Sequence, residues 1–168
     1  TVRGNVMSNK FEILMHQLDM PLEMRNSEAF LNAEIEKVLV HKVSRVWEFH
    51  FSFANILPIE IFRELQKRLA QEFSKTGNQA IFEIHCQAPQ VSDELLQAYY
   101  QLAFEEGPCS SHGFKSLYQD LRVHLDGDKL LIEGASNIDT EHFRKNHLPN
   151  LSQQLVKYGF PSVSYTHL

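Results

Sequence analysis

The sequence predicts an α+β fold of two small domains, each a β-hairpin followed by an amphipathic helix and a further strand. Three observations predict it. In Val46-Trp47-Glu48-Phe49-His50-Phe51-Ser52-Phe53 the large apolar residues fall on alternate positions, as in a strand buried on one face. Phe62, Leu65, Leu69 and Phe73 then recur at helical spacing, with Glu60, Arg63, Glu64, Lys67 and Arg68 largely between them. The same layout of hairpin, polar linker and amphipathic helix occurs at 35–74 and again at 121–158. Identity between the two copies is slight, so the repeat is one of plan.

Residues 1–6 carry no pattern and are expected to be an extension outside the fold; the first domain is assigned to 7–88. Phe11, Leu14, Met15 and Leu18 form an amphipathic helix that must stop near Pro21. A mixed connector over 22–34 contains a helical turn around Glu28-Ala29-Phe30-Leu31. Glu36 to His41 has the β-branched content of a strand, and Lys42-Val43-Ser44-Arg45 is short enough to join it to the Trp47 strand as a hairpin. Pro58 suits the first turn of a helix over 58–74. Lys75-Thr76-Gly77-Asn78 turns the chain, and Ala80 to Cys86 is a third strand of the same sheet.

Gln87-Ala88-Pro89-Gln90 breaks the pattern, and the second domain is assigned to 89–162. Ser92 caps a helix with Asp93 and Glu94 in its first turn, running through Leu95, Leu96, Tyr99, Leu102 and Ala103 to Gly107-Pro108. A short helix carrying Phe114, Leu117, Tyr118 and Leu121 is capped by Ser110 or Ser111. Leu121, Val123 and Leu125 alternate, Asp126-Gly127-Asp128 turns, and Leu130 and Ile132 alternate back. Asp139 or Thr140 caps the next helix, which Pro149 must kink or restart. Leu151, Leu155 and Tyr158 continue its stripe until Gly159, and 160–163 is the expected final strand. Val163-Ser164-Tyr165-Thr166-His167-Leu168 resembles the translation of a transposon-end adapter, so 163–168 is expected to be a non-native tail on a longer natural chain.

Composition narrows the function. The chain has 168 residues, 22% charged and 43% hydrophobic, ordinary for globular domains. No apolar run approaches the roughly 20 residues that cross a bilayer, and a cytoplasmic setting without membrane contact is expected. Cys86 and Cys109 do not form a disulfide framework, which favours a reducing compartment. Residues 1–88 carry 10 Lys+Arg against 11 Asp+Glu, and 89–168 carry 6 against 10. Neither half has the cationic surplus that sequence-independent binding to phosphates needs.

The chemistry-bearing residues form no catalytic pattern. Nine histidines occur, but neither His-Glu-x-x-His nor paired Cys-x-x-Cys does, so no metal is expected here. His142 and His147, five apart, fall on different faces of a helix, and His85 and Cys86 on opposite faces of a strand. Asp126-Gly127-Asp128 fails the calcium-loop pattern, with Leu130 and Leu131 at the fifth and sixth places, and is assigned as a turn. No nucleophile elbow or phosphate-binding Gly-rich loop is present. The Trp47/Phe49/Phe51/Phe53 row suits a nucleic-acid stacking platform, but an amphipathic helix follows to cover it, and core is the favoured assignment.

Met7-Ser8-Asn9-Lys10-Phe11-Glu12-Ile13-Leu14, Val38 to Phe51 and Asn55-Ile56-Leu57-Pro58 resemble the start of the PolC-type DNA polymerase III alpha subunit. The resemblance continues through Tyr118-Gln119-Asp120-Leu121 and His142-Phe143-Arg144 to about Pro161. It implies an N-terminal pair of α+β domains similar to the last domain of the clamp-loader tau subunit and related to KH folds. It further implies a parent enzyme that synthesises DNA on a template and proofreads with a 3′→5′ exonuclease. That parent would use Mg2+ and, in a PHP domain, other metals, and would meet DNA through downstream domains. None of its catalytic motifs maps onto this chain, and the Gly-x-x-Gly loop of KH modules is absent. The expectation is a non-catalytic replisome interaction module whose partner is the clamp-loader tau subunit or a helicase-associated protein. The exposed side of the 58–74 helix, with Arg63, Lys67 and Arg68, is the candidate surface. The alternative is a nucleic-acid-binding module that positions template or primer DNA.

Overall fold

A computed structural model describes residues 8–110, 112–133 and 140–167. Its backbone divides into two compact units between Pro89 and Gln90.

In the first unit, helix α1 (Asn9–Gln17) is capped by Ser8, whose hydroxyl accepts the Phe11 N–H. It ends in a Schellman motif: the Met20 N–H bonds the Met15 carbonyl and the Asp19 N–H that of His16. Asp19 takes the left-handed conformation (φ 54°) that this motif requires. Met15 and Met20, the apolar positions of this motif, are both buried. A short helix α2 (Leu22–Arg25) and a 3-10 turn (Glu28–Phe30) lead into the sheet. Strand β1 (Glu34–His41) pairs antiparallel with β2 (Val46–Phe53), and helix α3 (Ile59–Ser74) carries the chain over to β3 (Gln79–Cys86), parallel to β2. Parallel neighbours need such a crossover. Pro58 stands at the N-cap of α3, one place ahead of the expected first turn.

The alternation in β2 does what its spacing dictates. Phe49, Phe51 and Phe53 are buried. Phe11 of α1 meets Phe51 and Phe53 edge-on, each at 5.5 Å between centroids, and Phe30 at 5.2 Å. From α3, Phe62 packs on Phe82 of β3 at 5.2 Å, and Phe73 on Trp47 at 5.1 Å. The aromatic row is therefore core, closed by α1 and α3, and not an open stacking platform.

The second unit repeats the topology. After helix α4 (Asp93–Glu105), capped by Ser92, come a 3-10 turn (Gly107–Cys109) and helix α5 (His112–Tyr118). Strands β4 (Val123–Asp126) and β5 (Lys129–Ile132) form the antiparallel hairpin. Of its two turn residues only Gly127 has positive φ (61°), the type II′ arrangement with glycine leading. Helices α6 (Thr140–Asn146) and α7 (Leu148–Lys157) cross to β6 (Ser164–His167), parallel to β5. The sheet orders β1-β2-β3 and β4-β5-β6 are equivalent.

Several expectations shift. Leu117 is exposed and Leu121 lies beyond α5. The Ser110 hydroxyl donates to the Gly107 carbonyl, closing the 3-10 turn instead of capping α5. Ser111 and Asp139 lie outside the described residues. Pro149 restarts a helix, standing in the first turn of α7. The last strand occupies 164–167, within the segment expected to be a non-native tail, instead of 160–163. Phe160 is consumed in closing α7, where its N–H bonds the Leu155 carbonyl past Gly159 (φ 109°). Pro161 has no N–H to give a ladder, and pairing begins when the Ser164 N–H meets the Asp128 carbonyl at 2.8 Å.

Candidate functional surfaces

Arg63 and Lys67 are exposed along α3, as the helical spacing predicts. Arg68 is committed elsewhere. It bonds Glu64 through Nε at 2.8 Å, while its Nη1 donates to the carbonyls of Leu18 and Asp19. Those carbonyls end α1, so a cation there meets both free acceptors and the negative end of the helix dipole. Lys67 also pairs with Glu64, at 3.2 Å, and the two cations hold the Glu64 carboxyl below its ordinary value, Arg68 foremost. Arg68 thus ties α3 to α1, and Arg63 and Lys67 form the outward cationic part of the candidate surface.

The opposite side of the first sheet is a lattice of histidines and carboxylates. His50 lies between Glu48 (2.5 Å) and Glu83 (3.7 Å), His41 reaches Glu48 at 3.4 Å, and His85 reaches Glu36 at 3.6 Å. The hydrogen bond from His50, more than the bond from His41, holds the Glu48 carboxyl below the usual range. The second unit has its own version. His124 bonds Asp93 through Nδ1 (3.0 Å) and Glu133 through Nε2 (2.9 Å), beside an open cleft of about 480 Å³ lined by α4 and β4. With both ring nitrogens donating to carboxylates, the imidazolium is favoured and the His124 pKa is raised, Asp93 contributing most. A ring so held offers no lone pair to a metal. Among the described residues no group of three His, Cys, Asp or Glu side chains is placed to hold an ion.

His142 and His147 depart from expectation. The helix breaks between α6 and α7 at His147, and the break brings the two rings to 5.0 Å. His147 packs against Tyr118 and Phe143, each at 6.2 Å, and burial, then His142, pushes its pKa down to about 4. Cys86 and Cys109 are free and buried, and burial raises both thiols to about 11, which leaves them unreactive.

These shifts predict a stability maximum for the second unit close to pH 6.5, the ordinary histidine value. His124, raised on folding, stabilises fully below 6.5, and its contribution is lost as pH climbs through the folded value. His147, depressed on folding, stabilises fully above 6.5 and loses its contribution as pH falls toward about 4. Protection of the Leu130 and Leu155 amides from hydrogen exchange, corrected for the intrinsic rate at each pH, should rise to a maximum near the middle of this range. His124→Gln should flatten the alkaline limb alone, and His147→Leu the acid limb alone.

Both units are hairpin–helix–strand modules with closed apolar cores. The class they define is that of successive small α+β modules built on one topology. The chain matches the family described as DNA polymerase III polC-type N-terminus I over residues 10–84, and N-terminus II over 98–167. It is 96% identical over 158 residues to the DNA polymerase III PolC-type of Streptococcus sanguinis (strain SK36). The corresponding proteins of Streptococcus pneumoniae serotype 2 (strain D39 / NCTC 7466) and Streptococcus pyogenes serotype M5 (strain Manfredo) are 64% and 49% identical over the same length. Each alignment covers 94% of this chain and 11% of the relative, so the chain spans about a tenth of the length of the curated relatives it matches. No solved structure matches it. The chain belongs to the PolC-type DNA polymerase III family and corresponds to that family's N-terminal domains I and II. Among the described residues, no helix is long and apolar enough to cross a membrane.

Proposed function

We propose that this chain is the non-catalytic interaction module at the N-terminus of a replicative PolC-type polymerase. The parent would perform template-directed DNA synthesis with 3′→5′ proofreading in the cytoplasm. Its Mg2+ and PHP-domain metals, and its hold on DNA, would lie in downstream segments. The observation that carries the assignment is 96% identity to a PolC-type polymerase, sustained over 158 residues that amount to 11% of its length. A role in protein contact is supported by the closed aromatic core and by the exposed Arg63 and Lys67 on α3. The partner is proposed to be the clamp-loader tau subunit or a helicase-associated replisome protein, meeting that face of α3.

The test is binding of the 168-residue chain to purified tau subunit and to the replicative helicase with its associated proteins, alongside single-stranded and primed DNA. Saturable binding to one protein, weakened about tenfold or more by the pair Arg63→Glu and Lys67→Glu, is expected. DNA binding that falls steeply with salt, without a protein partner, would instead establish the module as one that positions template or primer.

A further inference from the structure

Strand β1 is the outermost strand of its sheet, paired on one side only, with β2. Its other edge presents a row of main-chain donors and acceptors, the template on which another strand adds. The apolar run at its centre is not covered: Val38 is 37% exposed, Leu39 39% and Val40 46%. These three consecutive residues alternate between the two faces, so an added strand would bury apolar surface on both.

We propose that this edge pairs with the same edge of a second copy of the chain, antiparallel and symmetric about Leu39. The register comes from the strand itself. Its pairing with β2 slips between Ile35 and Lys37, and the bulge bends the strand there. The regular segment that remains, Lys37–His41, has Leu39 at its midpoint. A two-fold axis through Leu39 sets Leu39 against itself, Val38 against Val40, and Lys37 against His41. The last pairing is electrostatically apt, because His41 carries Glu48 at 3.4 Å, and the Lys37 ammonium of one copy arrives beside that carboxylate of the other. The sequence of β1 is thus its own complement, apolar in the middle, with lysine at one end and a carboxylate-backed histidine at the other. An isologous pairing of this kind closes at two copies. It uses the β1 edge and not the outer face of α3, so it stands or falls independently of the partner proposed above.

The register is open to a direct chemical test. Residues opposite one another in an antiparallel pair have Cα atoms about 4.5–5.5 Å apart, within disulfide reach. Leu39→Cys should therefore cross-link to itself under diamide. Val43→Cys, at the fully exposed hairpin tip, should not, since eight residue steps separate the two copies by about 27 Å in this register. The native thiols, buried and raised to about 11, do not compete. Sedimentation of the unmodified chain should show a monomer–dimer equilibrium, and Leu39→Lys, which sets two ammonium groups face to face, should weaken it about tenfold. Trp47 fluorescence, and the urea midpoint at concentrations too low for the dimer to form, should be unchanged in all three variants. A chain that stays monomeric up to millimolar concentration would overturn the proposal. So would species larger than dimers, equal cross-linking at 39 and 43, or a Leu39→Lys variant that associates as well as the original.

Discussion

Replacing Phe11 by alanine is expected to cost the first unit about 3–5 kcal/mol, a large part of the roughly 5–15 kcal/mol that holds a small domain folded. Phe11 is fully buried and is the only aromatic side chain that α1 contributes to its unit's core. Its ring stands edge-on to Phe51 and Phe53 and against Phe30, so truncation removes three aromatic contacts and opens a cavity at the middle of β2. The neighbours cannot collapse into the space, since Phe51 is paired with both β1 and β3 and Phe53 with Cys86 of β3. Trp47 is the sole tryptophan and belongs to this unit, so urea unfolding followed by its fluorescence reads the loss directly. Phe11→Leu, which keeps most of the volume, should cost less than half as much. A loss under about 1 kcal/mol for the alanine variant would mean that α1 does not close the core.

The second large effect is expected at Gln97, in a polar position that no apolar pattern would single out. From α4 its amide accepts the Val123 N–H at 2.9 Å and donates to the Leu121 carbonyl at 3.0 Å. β4 is an edge strand, and Gln97 serves main-chain groups at its entry as a neighbouring strand would. Gln97→Met keeps the length and loses both bonds, leaving a donor and an acceptor part-buried and unpaired. The expected cost is about 2–4 kcal/mol, from 1–3 for each abandoned group with some relief from water. Circular dichroism should show the second transition moving to lower urea while the Trp47 transition stays in place. The same helix holds its surroundings in two further ways, by Tyr100 donating to the Tyr118 carbonyl and by Gln119 donating to that of Gln101.

How far the sequence could be read depended on the range of each contact. β2 was legible to the residue, Val46–Phe53, because a period-two pattern of four large aromatics is a local signal. The hairpins, Ser92 as a cap and Gly159 as a terminator were legible for the same reason. The displacement of the final strand from 160–163 to 164–167 was not, because it turns on Phe160 serving the end of α7 before any strand can form. His142 and His147 were separated by helical geometry, and the break between α6 and α7 brings their rings together. At the candidate surface, the exposure of Arg63 and Lys67 followed from spacing. The use of Arg68 to bind carbonyls some fifty residues earlier is a tertiary contact with no trace in local pattern.

The parallel closing strands carry a consequence for biogenesis. In each unit the middle strand of the sheet, β2 or β5, finds its second neighbour only after a helical crossover has been made. As the polypeptide leaves the ribosome, the first unit can complete its sheet once Cys86 has emerged. Vectorial synthesis therefore imposes an order on maturation within that unit, with the β1–β2 hairpin and α3 made before the strand that completes the sheet.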